Sequence, residues 1–179
     1  KMYIDRLVKM GSDMDILTVA ASAYRSARTI GFNPFIDEEI EINKKINDAN
    51  RKMGNPHFSF LYEAYYAKAT ENEFSKDAEL LGLAYKEVES INIINLKESV
   101  ARHLLNYKVM IKKDLGLYEE ALLDVEKLIA TGKSFDYTNY LHKGEILLGL
   151  NQFEEAEASA KRIKDTEHKW VTLDRDDLL

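Results

Sequence analysis

"LGLYEEALLD" at 115–124 and "LGLNQFEEAE" at 148–157 make the same statement twice, about thirty-five positions apart. Each carries Leu-Gly, a short turn, an aromatic (Tyr118, Phe153), two glutamates and then a small residue (Ala121, Ala156). Repetition at such a period is the mark of stacked helical hairpins, in which one supersecondary unit buries its apolar face against the next. The aromatic opens a helix and the alanine follows one turn later, on the face where two helices must approach closely.

Working outward, the punctuation yields eight helices at roughly 13–30, 34–53, 56–70, 74–91, 95–114, 118–131, 135–149 and 152–165. The two prolines sit in "GFNPF" (31–35) and "GNPHF" (54–58), each reading as a helix stop followed by a start. Gly31 and Gly54 suit the left-handed ending, Asn33 and Asn55 the cap, and Pro34 and Pro56 the first helical position. "SDMD" at 12–15 has the form of a capping box, "NLKE" at 95–98 approximates one, and Ser134 and Asn151 precede further helical patterns. No alternating strand pattern competes. Short connections between long amphipathic segments make neighbours antiparallel, giving four hairpins whose first helices begin near 13, 56, 95 and 135. The third helix, within "PHFSFLYEAYYAKA", is apolar or aromatic almost all round and is expected between other helices.

The last two hairpins resemble the tetratricopeptide repeat. The 135–165 hairpin matches at Tyr140, Gly144, Phe153, Ala156 and Ala160, with Asn151 in place of the loop glycine. The 100–132 hairpin matches at Leu105, Gly116, Tyr118 and Ala121, but has Val109 where a small residue belongs and lacks the closing proline. Before residue 95 only Phe74, Ala78 and Ala84 keep the pattern, so periodicity alone assigns the first half. The resemblance implies an all-α fold, a right-handed α-α superhelix of about four hairpins filling 1–179 as a single domain. It also implies no catalysis and a concave groove that binds peptides or partner proteins. Carried over residue by residue, the groove consists of His103, Asn106, Met110, Lys113, Thr138, Leu141 and Glu145. The family's carboxylate clamp is not reproduced, because Met110, Leu141 and Glu145 stand where amide or cation is needed.

The rest of the sequence narrows the function mainly by exclusion. A net charge of −6 and a pI near 5.3 argue against a nucleic-acid groove. The small basic spots at Arg51-Lys52 and Lys112-Lys113 are balanced by acid. There is no cysteine, no run of about eighteen apolar residues, no phosphate loop and no serine elbow. The four histidines (His57, His103, His142, His168) are scattered, and His142 with Glu145 supplies only two metal ligands, so no metal and no cofactor is expected. Tyr62, Tyr65 and Tyr66, with Phe58 and Phe60, read chiefly as packing between helices and secondarily as an aromatic pocket. Trp170 is expected to cover the end of the array.

The primary expectation is therefore a non-enzymatic protein- or peptide-binding scaffold, able to form a homodimer through an uncapped end. The alternative is a sensory or regulatory tetratricopeptide domain of a multidomain bacterial signalling protein, such as a sensor histidine kinase or transcriptional regulator. The opening at Lys1 without methionine and the helix-like ending "TLDRDDLL" are read as the ends of a piece of a longer protein. The compartment, cytoplasmic or periplasmic, is left open.

Overall fold

The computed structural model describes residues 14–29, 34–53, 59–72, 75–92, 96–131 and 136–163. The helix signals at Ser12, Asp13, Gly31, Asn33, Gly54, Asn55, Pro56, Asn95 and Ser134 lie outside those residues. So do His57, Phe58, Phe74, His168, Trp170 and the "TLDRDDLL" ending. The fold is all-α: α1 (Met14–Thr29), α2 (Ile36–Lys52), α3 (Leu61–Ala69), α4 (Ala78–Glu89), α5 (Glu98–Asp114), α6 (Tyr118–Ala130), α7 (Asp136–Gly149) and α8 (153–163). No strand occurs among the described residues, and none of their helices is long and apolar enough to cross a membrane.

The chain divides into two compact units, Lys1–Ile91 and Asn92–Leu179. In the first, α1 packs on α2, α2 on α3 and α3 on α4. Leu17, Ala20 and Tyr24 of α1, spaced by three and four, meet Ile42 and Ile46 of α2. Leu61 to Ala64 are each no more than 3% exposed and Tyr65 is 6% exposed, so the first half of α3 is enclosed on every side, while Tyr66, Ala67 and Lys68 are half-buried. In the second unit α5 packs on α6, α6 on α7, and α7 also touches α5. Ala121, Asp124, Val125 and Leu128 form the buried stripe of α6, and Val109 and Ile146 meet it from α5 and α7.

Several helix starts differ from the sequence expectation. Pro34 and Phe35 form a turn and α2 begins at Ile36, with Glu39 N donating to Phe35 O as an early helical bond. The third helix starts at Leu61 rather than 56, because Ser59 has tertiary partners: its N–H donates to Asn47 Oδ1 (3.0 Å) and its Oγ to Asn43 O (3.1 Å). These bonds draw the backbone toward α2 instead of into a helix. The fourth begins at Ala78, where the Asp77 carboxylate accepts from the N–H groups of Glu79 and Leu80. The fifth begins at Glu98.

At the repeated phrase the two turns are built alike. Leu117 N donates to Lys112 O (2.9 Å) and Gly116 N to Lys113 O (3.0 Å), while Gln152 N donates to Leu147 O (2.9 Å) and Asn151 N to Leu148 O (3.1 Å). Both are the paired closing bonds of a helix that ends in a left-handed residue. That residue is Gly116 (φ 75°) in one turn and Asn151 (φ 60°) in the other, asparagine being the side chain that best tolerates the conformation. Tyr118 and Phe153 then open α6 and α8, with Ala121 and Ala156 buried one turn on.

Two glycines of α7 separate by environment. A Cβ on Gly144 would lie 3.9 Å from Ala156 O and Ser159 Cβ, an ordinary contact, whereas one on Gly149 would lie 2.5 Å from Tyr118 Cζ. Gly144→Ala is accordingly expected to stabilise by about 1 kcal/mol through helix propensity. Gly149→Ala is expected to destabilise by about 1–3 kcal/mol by displacing a ring packed into the core. Urea midpoints that move in the same direction for both would contradict this assignment.

Candidate functional site

In the second unit, α5 and α7 turn polar side chains toward a hollow of about 380 Å³ lined by His103, Asn106 and Thr138 together with Arg102 and Asn139. Three of the seven groove residues named from sequence thus meet in one place. Asn106 Nδ2 donates to Met110 Sδ (3.4 Å), which ties Met110 to the hollow's edge, and the His103 ring stands edge-on to Tyr107 with centroids 5.1 Å apart.

The remaining groove residues serve two other arrangements. Lys113 forms an ion pair with Glu145, joining α5 to α7, and its Nζ lies 3.5 Å from His142 Nδ1, itself 3.6 Å from Glu145 Oε2. Burial and then the adjacent Lys113 charge lower the His142 pKa. Burial alone would raise the Glu145 carboxyl, but the hydrogen bond and charge of Lys113 outweigh it and leave it below the ordinary carboxylate range. An ammonium already beside His142 and Glu145 makes this pair a poor cation site. Among the described residues no cluster of three or more His, Asp or Glu is placed to hold a metal ion.

Leu141 belongs to a third region. It borders a nearly apolar hollow of about 350 Å³ between α7 and α8, with Leu148 and Phe153, and these three side chains are 46%, 54% and 64% exposed. Glu145 sits at its rim. An exposed apolar face on the last described hairpin is what stacked hairpins leave at an end.

Of the tyrosines considered as a pocket, Tyr62 is fully buried and Tyr65 6% exposed, so both pack between helices; Tyr66 is half-buried. Burial pushes the Tyr65 hydroxyl above its ordinary pKa, keeping it neutral. The cavity of the first unit lies elsewhere, between α1 and α2, with Ser59 and Phe60 closing it, at about 470 Å³.

Behind that cavity stands a buried ionic cluster. Arg25 grips Glu63 through two bonds of 2.9 Å (Nε and Nη2), and Arg28 grips Glu39 through bonds of 3.1 and 3.2 Å. Arg28 Nη2 also reaches Glu63 at 3.3 Å, and Tyr62 Oη donates to Glu63 at 3.4 Å. Glu39 and Glu63 are each 1% exposed, and the Arg25 guanidinium lies 3.8 Å from the centroid of Phe60. A signal for this cluster did exist in the sequence. A lone glutamate inside an apolar, aromatic helix has to be paired, and Arg25 and Arg28 share one face of α1 at a spacing of three. Compared with protein-family models, curated proteins and solved structures, the chain gives no match.

Proposed function

We propose that the chain is a non-catalytic scaffold of tetratricopeptide-like hairpins, and that an extended segment of a partner protein lies along the α5–α7 face of the second unit. The observation that supports this reading is the convergence of His103, Asn106 and Thr138, from two first helices, on one hollow of about 380 Å³. Imidazole, carboxamide and hydroxyl groups both donate and accept, which suits the alternating N–H and C=O of a peptide main chain. Lys113 and Glu145 neutralise each other at one end of the face, consistent with a ligand held by hydrogen bonds and shape and not by a charged terminus.

A displayed library of random peptides tests the proposal. Peptides enriched on the intact chain are expected to bind an Asn106→Ala, Thr138→Arg double variant at least tenfold more weakly, since one lost hydrogen bond is worth about 1 kcal/mol and the arginine fills the hollow. Loss of binding only in Leu141→Asp would move the binding surface to the α7–α8 face. A library that yields no binder, or binders indifferent to both variants, would discard the peptide-scaffold reading.

A further inference from the structure

We infer that the cavity between α1 and α2 is a binding site for a small uncharged ligand bearing an amide-like edge, one that donates and accepts hydrogen bonds side by side. Its volume of about 470 Å³ falls in the range of small-molecule sites. Its apolar wall comes from Met14, Ala21, Ile46 and Phe60. Its polar lining includes two asparagines on one face of α2. Asn50 is 4% exposed, lines the cavity, and its carboxamide has no hydrogen-bond partner among the described residues. Asn43, 2% exposed, uses Nδ2 on Glu39 O (2.9 Å), and its Oδ1 accepts no bond among the described residues. Both carboxamides open onto the cavity, and a ligand that replaces water there can take up their unused donor and acceptor capacity.

The charge balance selects the ligand class. Of the charged groups that line the cavity, Asp15 is exposed to water, while Arg25 and Glu39 belong to the cluster in which two guanidinium groups, Arg25 and Arg28, contact two carboxylates, Glu39 and Glu63. A charged ligand entering would have to break one of these pairs or stay uncompensated away from water, and both are costly. A neutral ring with a lactam or nucleobase edge asks for neither. It presents to Asn50 the donor and acceptor that a carboxamide matches in a bidentate manner, and its body lies against Ile46 and Phe60.

The test uses the full chain and five probes of similar size: uracil, adenine and a cyclic dipeptide as neutral lactam-type ligands, with benzoate and benzylamine as charged counterparts. Binding is read by ligand-observed NMR and by ligand-dependent thermal stabilisation. At least one neutral probe is expected to bind at millimolar concentration or below, and the charged probes are expected not to bind. Asn50→Leu is expected to weaken that binding at least tenfold while leaving the Tm of the unliganded chain unchanged or higher, because it removes a carboxamide that makes no hydrogen bond among the described residues. Ser22→Phe, which plugs the mouth from an exposed position and leaves the core untouched, is expected to abolish it. The proposal fails if no neutral probe binds, if benzoate or benzylamine binds as well, or if neither variant affects binding. It fails equally if Asn50→Leu lowers the Tm of the unliganded chain, which would assign Asn50 to the fold.

Discussion

Glu63→Ala is expected to lower the stability of the first unit by about 3–5 kcal/mol. The reason is asymmetry. The Glu63 carboxylate is 1% exposed and takes both bonds of the Arg25 fork and one from Arg28, so its removal takes from Arg25, whose side chain is 31% exposed, the carboxylate that holds both ends of its fork. Arg28 keeps Glu39, and Arg25 keeps the Phe60 ring among its contacts, where a cation over an aromatic face recovers about 0.5–2 kcal/mol. Replacing both members, Arg25→Met with Glu63→Met, is expected to restore much of the lost stability, since no buried charge is then left alone. Urea denaturation of the three variants at neutral pH measures this. A double variant no better than Glu63→Ala alone would show that the cluster acts through shape and not through charge.

In the second unit the corresponding effect comes from Asp124→Ala, expected to cost about 3 kcal/mol. Lys112, 7% exposed, donates to Asp124 at 2.8 Å, and Lys127 donates to the other oxygen at 2.8 Å. Lys112 has Glu120 at 3.4 Å as a second, more exposed partner, which places the loss toward the lower end of the buried-pair range. Burial by itself raises the Asp124 carboxyl, but the hydrogen bonds from Lys112 and Lys127 exceed it, so the native pKa lies below the ordinary value. A carboxyl depressed in the native state stabilises fully above its unfolded pKa of about 3.9, and the contribution disappears as pH falls through the native value. The advantage of the wild type over Asp124→Asn is therefore expected to be constant near neutrality and to shrink on acidification below about pH 5. An advantage that instead grows toward acid would reverse the assignment.

Most helices could be read in the sequence because their causes are local. The stripe at 121, 124, 125 and 128, the aromatic and alanine after each turn, and the left-handed residue at 116 and 151 are all decided within a few positions. The start of α3 could not be read, because Ser59 is held by Asn43 and Asn47 on another helix, and no short window contains both. The same division applies to the sites. His103, Asn106 and Thr138, which line one hollow, could be grouped in advance because they hold corresponding positions on α5 and α7. The cavity of the first unit depends on pairings such as Arg25 with Glu63, thirty-eight positions apart, which leave no periodic trace. Leu141 shows the limit of register: it keeps the expected spacing along α7 yet faces α8, because a helix presents more than one side.

The two matching turns have a consequence for how the second unit tolerates changes in length. Chain that leaves α5 through Gly116 and chain that leaves α7 through Asn151 emerge with the same handed exit and the same two closing bonds, one period later. Residues 117–151 are thus a cassette with compatible ends. Adding or removing that whole block joins a turn to its equivalent. A one- or two-residue insertion within a helix puts the residues beyond it out of phase and rotates the buried stripe toward water. The length that keeps this match is set by Gly116 and Asn151, the two residues that accept the left-handed backbone.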